Sequence, residues 1–162
     1  MVMKMQGKNG KYRWIVVILL LVATTINYLD RQIIGLLKPI LEKEFSWTET
    51  DFPRIVMAFT AAYAVGLLAS GRIIDKIGTR VGYSIAVIVW SVFGMLHALA
   101  RGVVGFTVVR IGLGLGEAGN FPAAVKVVAE WFPRRERALA TGIFNAGTSI
   151  GVVTALLICP LY

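Results

Sequence analysis

TINYLDRQIIG, residues 25–35, sets Asn27, Tyr28, Asp30 and Arg31 in the middle of an apolar run that extends from Trp14 to Leu37. A helix needs about 20 residues, each rising 1.5 Å, to cross the ~30 Å hydrocarbon layer of a bilayer. The run satisfies that length. Its polar residues therefore lie where an uncompensated charge costs about 2.5–3.5 kcal/mol on insertion scales. Such residues are rare in lipid and usually face a bundle interior or a water-filled cavity.

Four further segments repeat the apolar pattern: Phe52 to Ser70, Val81 to Ala100, Val103 to about Val128, and Ala138 to about Leu161. The chain is 57% apolar and 16% charged with a mean hydropathy of +0.73. Soluble domains run nearer half apolar and a quarter charged. Apolar and polar residues do not alternate strictly, as barrel strands require, which leaves helices. The expected fold class is an all-α membrane protein of five transmembrane helices. A cleavable signal peptide is excluded by the length of the first apolar run, which is retained. The net charge of +8 falls in short clusters between apolar runs rather than on one face, so a nucleic-acid partner is not expected. The lone Cys159 builds neither a disulfide nor a metal site and reads as inert packing.

Orientation follows from Lys and Arg in the short flanks, which resist translocation. The tail carries Lys4, Lys8, Lys11 and Arg13, the second connection Arg72, Lys76 and Arg80, and the fourth Arg134, Arg135 and Arg137. These ten face four in the alternate loops, Lys38, Lys43, Arg54 and Arg101. Residues 1–13 then form a cytoplasmic N-terminal tail, and 14–162 a multi-pass bundle in a cell membrane, the bacterial inner membrane being expected. Five spans put the C-terminus outside, directly after LICPLY, which reads as truncation before a sixth helix.

In lipid, helices associate where small residues let backbones approach. Ala58, Ala62, Gly66 and Ser70 recur every four residues, as do Gly112 with Gly116 and Gly147 with Gly151, and all read as packing stripes. The fourth span holds two more charges, Arg110 and Glu117, in RIGLGLGEAGNFP. With the first span ending near Pro39 and the fourth starting near Gly102, Arg31 and Arg110 lie each about 12 Å below the outer surface. Asp30 joins them at that depth. Glu117, two turns beyond Arg110, lies about 10 Å deeper. The four charges sum to zero. Static ion pairs tying two helices together are the plain alternative, and buried pairs are weak evidence for stability. The reading preferred is an anion site with a titratable carboxylate beside it.

Other polar residues say less. His97 reads as interfacial, Lys126 as reaching the headgroups, and Trp14, Trp90 and Trp131 as belt or packing residues. Pro122 is expected to kink the fourth span just beyond Glu117. GLGLGEAG lacks the strand and βαβ context of a nucleotide loop. No HExxH, CxxC or Ser-His-Asp set occurs, so no catalytic residue, no metal, no cofactor and no enzyme activity are expected.

GRIIDKIGTR, residues 71–80, resembles the signature loop of the major facilitator superfamily. Gly71, Asp75, Gly78 and Arg80 are in register, with Ile74 in place of a usual small residue and Lys76 of a usual Arg. RIGLGLGEA resembles the superfamily's fourth-helix signature through Arg110, Gly114 and Gly116. NYLDR, Glu117 and WFPRRERALATGIFNAGTSIG further resemble the anion:cation symporter family, and within it the bacterial hexuronate transporters. The resemblance spans nearly the whole chain but five of a member's twelve helices, most of an N-terminal six-helix half. It implies alternating access between two halves, with the missing C-terminal half as partner.

By position, the resemblance assigns Arg31 to the substrate carboxylate, Tyr28 and Tyr63 to the sugar, and Asn145 and Thr148 to weaker contacts. Thr148 departs from a glutamine found in some relatives. Asp30 and Glu117 become the protonation sites, with Arg110 pairing one or both, and Gly71, Asp75, Gly78 and Arg80 serve the cytoplasmic gate. The partners expected are a small organic anion, a proton and the lipid bilayer. The activity implied is proton-coupled symport of a hexuronate or related sugar acid into the cytoplasm. Another anion, such as an aldonate, a monocarboxylate or phosphate, and a truncated piece that transports nothing, are the alternatives.

Overall fold

Each expected apolar segment forms helix in the computed structural model, which describes residues 10 and 12–158. The helices are α1 (Tyr12–Phe45), α2 (Asp51–Ile77), α3 (Thr79–Leu96, extended by a 3-10 turn at His97–Leu99), α4 (Gly102–Glu117), α5 (Asn120–Trp131) and α6 (Arg137–Ile158). Five stretches are long and apolar enough to cross a membrane, and α4 with α5 makes up one of them. Cys159 and Lys4, Lys8 and Lys11 lie outside the described residues.

Three boundaries depart from the sequence reading. First, α1 does not stop near Pro39 but continues through it to Phe45. Lys38 and Glu42 pair across one turn at 3.4 Å, while Leu41 and Phe45 pack on an outer core of Ile34, Trp47, Ile55, Phe106 and Val109. Burial of that face outweighs the one backbone bond lost to the proline. Second, most of the signature segment is helical. α2 runs through Gly71 and Asp75 to Ile77, and only Gly78, at φ 86°, separates it from α3. A left-handed backbone of that kind suits glycine.

Third, where Pro122 is expected to kink the fourth span, its hydrogen-bond ladder is interrupted while the backbone stays in the helical region. Ala118 and Gly119 form a turn between α4 and α5 directly after Glu117. Pro122 has no N–H to give the Ala118 carbonyl one turn back, and the single proton of the Ser70 hydroxyl of α2 is shared between that carbonyl at 3.3 Å and the Leu67 carbonyl at 3.2 Å. In a bundle without bulk water, such replacement is what makes an interrupted helix tolerable.

α1 packs chiefly on α6, and α4 between α2 and α3. The small residues make these approaches possible: a Cβ on Gly147 would lie 2.7 Å from the Leu21 carbonyl, and one on Gly114 2.8 Å from the Phe59 carbonyl. An inner core of Val17, Leu20, Val128, Phe132 and Phe144 closes the opposite end of the bundle. Trp90, 3% exposed, is packing rather than belt. Between the inner and outer cores lies a layer of buried polar side chains, Thr24, Asn27, Arg110, Glu117 and Asn120. The polar layer is where the functional residues gather.

Candidate functional site

At the centre of that layer, Arg31 of α1 donates from Nε to Glu117 Oε2 of α4 at 2.6 Å. The Glu117 side chain is fully buried, and its Oε1 has no partner. The depth expected from sequence paired Arg31 with Arg110, and the continued α1 explains the difference. Arg31 lies fourteen residues before Phe45 and Glu117 fifteen after Gly102, so antiparallel helices bring them to matching depths of about 21 and about 22 Å.

Three rings surround the Arg31 guanidinium. Its Cζ lies 4.2 Å from the ring centroid of Tyr63, 5.0 Å from Tyr28 and 5.5 Å from Phe59. Ring faces attract a cation, more strongly where water is scarce. Tyr28 is three residues before Arg31 on α1, while Phe59 and Tyr63, four apart on α2, stack at 6.1 Å. The sequence pointed to both tyrosines and missed Phe59.

Arg110, 4% exposed, sits beside the same Phe59 at 5.4 Å, and its Nε is buried without a partner. It makes no ion pair within 4.0 Å among the described residues, with Asp30 or with Glu117. Asp30 and Arg110 instead line a cleft of about 360 Å³ between α1, α3 and α4, shared with His97. His97 opens the 3-10 turn at the end of α3, where its Nδ1 bonds the Phe93 carbonyl at 2.8 Å and its Nε2 is buried without a partner. Neither Arg31 nor either tyrosine lines this cleft. The two positive and two negative charges thus split into a tight pair and a loose one.

Below the tight pair a second polar crossing joins the helices. Asn120 of α5 donates to the Thr24 hydroxyl at 3.4 Å and accepts from the Tyr83 hydroxyl of α3 at 3.0 Å. None of these three residues was singled out from sequence, although Thr24, Asn27 and Arg31, three and four apart, form a polar stripe on one helical face.

The remaining candidates lie elsewhere. Asn145 is exposed on α6, and Thr148 turns its hydroxyl back to the Asn145 carbonyl at 2.8 Å. Neither is brought to Arg31 by a recorded contact. Asp75 accepts from Lys126 Nζ at 2.6 Å, and Lys126 also reaches the Ile74 carbonyl at 3.3 Å. Lys126 is therefore held against α2 rather than directed to headgroups. Gly71 and Gly78 flank Asp75, and Arg80 is exposed and makes no side-chain bond among the described residues. Pairs Arg13–Glu136 at 3.0 Å and Thr79–Glu130 at 2.6 Å bring the basic clusters to one end of the bundle. No group of three metal-ligating side chains occurs among the described residues.

Residues 20–161 match the sequence family described as Major Facilitator Superfamily. The hexuronate transporter of Escherichia coli (strain K12) is 36% identical over 143 residues, covering 88% of this chain and 33% of its own length. The galacturonate transporter of Dickeya chrysanthemi is also 36% identical, over 88% of this chain and 41% of its own length. The chain thus spans about a third to two-fifths of these relatives. Among solved structures, a bacterial homologue of the human lysosomal transporter Spinster, inward-facing and unoccupied, superposes with a TM-score of 0.87. That likeness is at 28% identity and covers 93% of this chain and 32% of that one.

Proposed function

The chain belongs to the major facilitator superfamily, and we propose that the native protein containing it brings a hexuronate or related sugar acid into the cytoplasm together with a proton. The observation that carries this reading is the Arg31–Glu117 pair: a caged guanidinium whose anionic partner is fully buried. Similarity to the hexuronate and galacturonate transporters supports the substrate class. The excess of basic residues on the tail and alternate connections supports a cytoplasmic N-terminus, and the bacterial relatives support the inner membrane.

Arg31 has one carboxylate at hydrogen-bond distance, so a uronate carboxylate that takes the guanidinium displaces Glu117. Glu117 then holds a buried charge without its donor. Leaving one partner of a buried pair uncompensated costs about 3–5 kcal/mol. Taking up a proton removes that cost, and proton entry becomes tied to anion entry without a further device. Tyr28 and Tyr63, already against the guanidinium, offer hydroxyls and ring faces to the sugar. Asp30 and Arg110, one negative and one positive, keep the layer neutral and provide a second protonation site. Asp75, with Gly71, Gly78 and Arg80, lies at the end where the other half of a transporter closes the cytoplasmic gate.

In proteoliposomes, Glu117→Gln is expected to abolish accumulation driven by a proton gradient while sparing exchange of hexuronate for hexuronate. Undiminished proton-driven accumulation in that variant contradicts the assignment.

A further inference from the structure

Two crossings join α1 to the interrupted fourth span, Arg31 to Glu117 above and Thr24 to Asn120 below. Asn27 occupies the step between them on the same face of α1, one turn below Arg31. Its side chain is 1% exposed, yet neither Oδ1 nor Nδ2 has a partner, and the Oε1 of fully buried Glu117 is likewise without one. These atoms comprise one amide donor group and two acceptors in a layer bounded by apolar cores at both ends. A single water molecule within reach of all three would donate to both oxygens and accept from the amide, which is the usual bonding of a buried water. Leucine would present the same branched skeleton, in a bulkier form, without needing any partner.

We propose that Asn27 holds a water molecule against Glu117 Oε1, and that this water receives the Glu117 proton for release toward the end of the bundle that carries the basic clusters. The inference rests on proton coupling at Glu117. The O–H bond of protonated Glu117 breaks as an O–H bond to the water forms, and the water hands one of its own protons onward. No electron changes hands. Thr24, Asn120 and half-buried Tyr83 line the way below with hydroxyls and an amide. The charged groups acting on Glu117 are Arg31 and Asp30 of α1 and Arg110 of α4, while Tyr63 of α2 faces Arg31 and Tyr83 of α3 bonds Asn120. Asn27 carries no charge and acts as a positioning residue: it fixes the water and leaves the Arg31–Glu117 contact to others.

The test compares two fluxes of the native protein in proteoliposomes, hexuronate exchange and net hexuronate uptake with protons followed by an internal pH dye. Asn27→Leu is expected to keep exchange within about threefold and to slow net proton-coupled uptake by at least about tenfold, because exchange needs no proton release. Asn27→Ser, which keeps a hydroxyl to hold water, is expected to recover most of the net rate. Equal loss of both fluxes in Asn27→Leu overturns the proposal by making Asn27 a packing residue, and so does retention of both. Should the leucine variant fail to reach the membrane, Asn27→Ala measured in the same way decides on the same criteria. Wild-type protein that moves hexuronate without moving protons refutes coupling itself, and with it this route. Coupled wild type with an unaffected Asn27→Leu refutes the route alone.

Discussion

Two ion pairs in this molecule have the same length and opposite surroundings. Arg31 meets Glu117 at 2.6 Å in the middle of the bundle, where the carboxylate is fully buried and the guanidinium is ringed by Tyr28, Phe59 and Tyr63. Lys126 meets Asp75 at 2.6 Å at the basic end, where the carboxylate is 72% exposed. Distance is shared and dielectric is not. Water competes for every bond at Asp75, so that pair forms and parts at little cost. At Glu117 no water-exposed surface exists to take over from Arg31, so loss of the guanidinium must be answered by another cation or by a proton.

The largest effect is expected at the buried pair. Arg31→Leu removes the cation that Glu117 is buried against, so the carboxylate must stay charged or take up a proton, and the protein should lose up to about 3–5 kcal/mol in detergent unfolding, with Arg31→Leu/Glu117→Leu recovering much of the loss. A double variant no more stable than the single one would place the loss in packing instead. An intermediate case is buried but uncharged: Ser70→Ala removes the donor to the Ala118 carbonyl and should cost about 1–3 kcal/mol. Adding Pro122→Ala restores a backbone N–H for that carbonyl, so the double variant should regain stability. Independent, additive losses would show that the Ser70 bond does not compensate for the proline. The smallest effect belongs to Asp75→Asn, at most about 1 kcal/mol and vanishing in high salt. A salt-insensitive loss of several kcal/mol there would erase the contrast between the two pairs.

How much of this contrast was legible in the sequence follows from what each feature depends on. Spans are set by length and hydropathy, which are local, and all five were read correctly. Arg31 and Glu117 stood out because charges in apolar runs are conspicuous, Tyr63 came from the family resemblance alone, and the fold does bring them together with Tyr28. Their pairing was misjudged because depth was counted from Pro39, whereas α1 runs on to Phe45 once Leu41 and Phe45 find the outer core. The interruption at Ala118–Gly119 falls where Pro122 is expected to kink the span, whereas Ser70, read only as a small residue, gave no hint that its hydroxyl reaches the Ala118 carbonyl of another helix. Thr24 and Asn120 are uncharged and were passed over, and Asn27, noted as polar in the first apolar run, was given no task, although their spacing around Arg31 and Glu117 was available as a signal. Lys126 was assigned to a membrane surface by position along a span, and its partner Asp75, on another helix, is hidden by sequence distance.

Infrared difference spectroscopy of the native protein, recorded on adding hexuronate at neutral pH, tests the exchange of partners at Glu117 most directly. A protonated carboxylic acid band is expected to appear with substrate and to be missing in Glu117→Gln. No such band in the wild type, or an undiminished one in the variant, would mean that substrate does not release Glu117 from Arg31 to take up a proton.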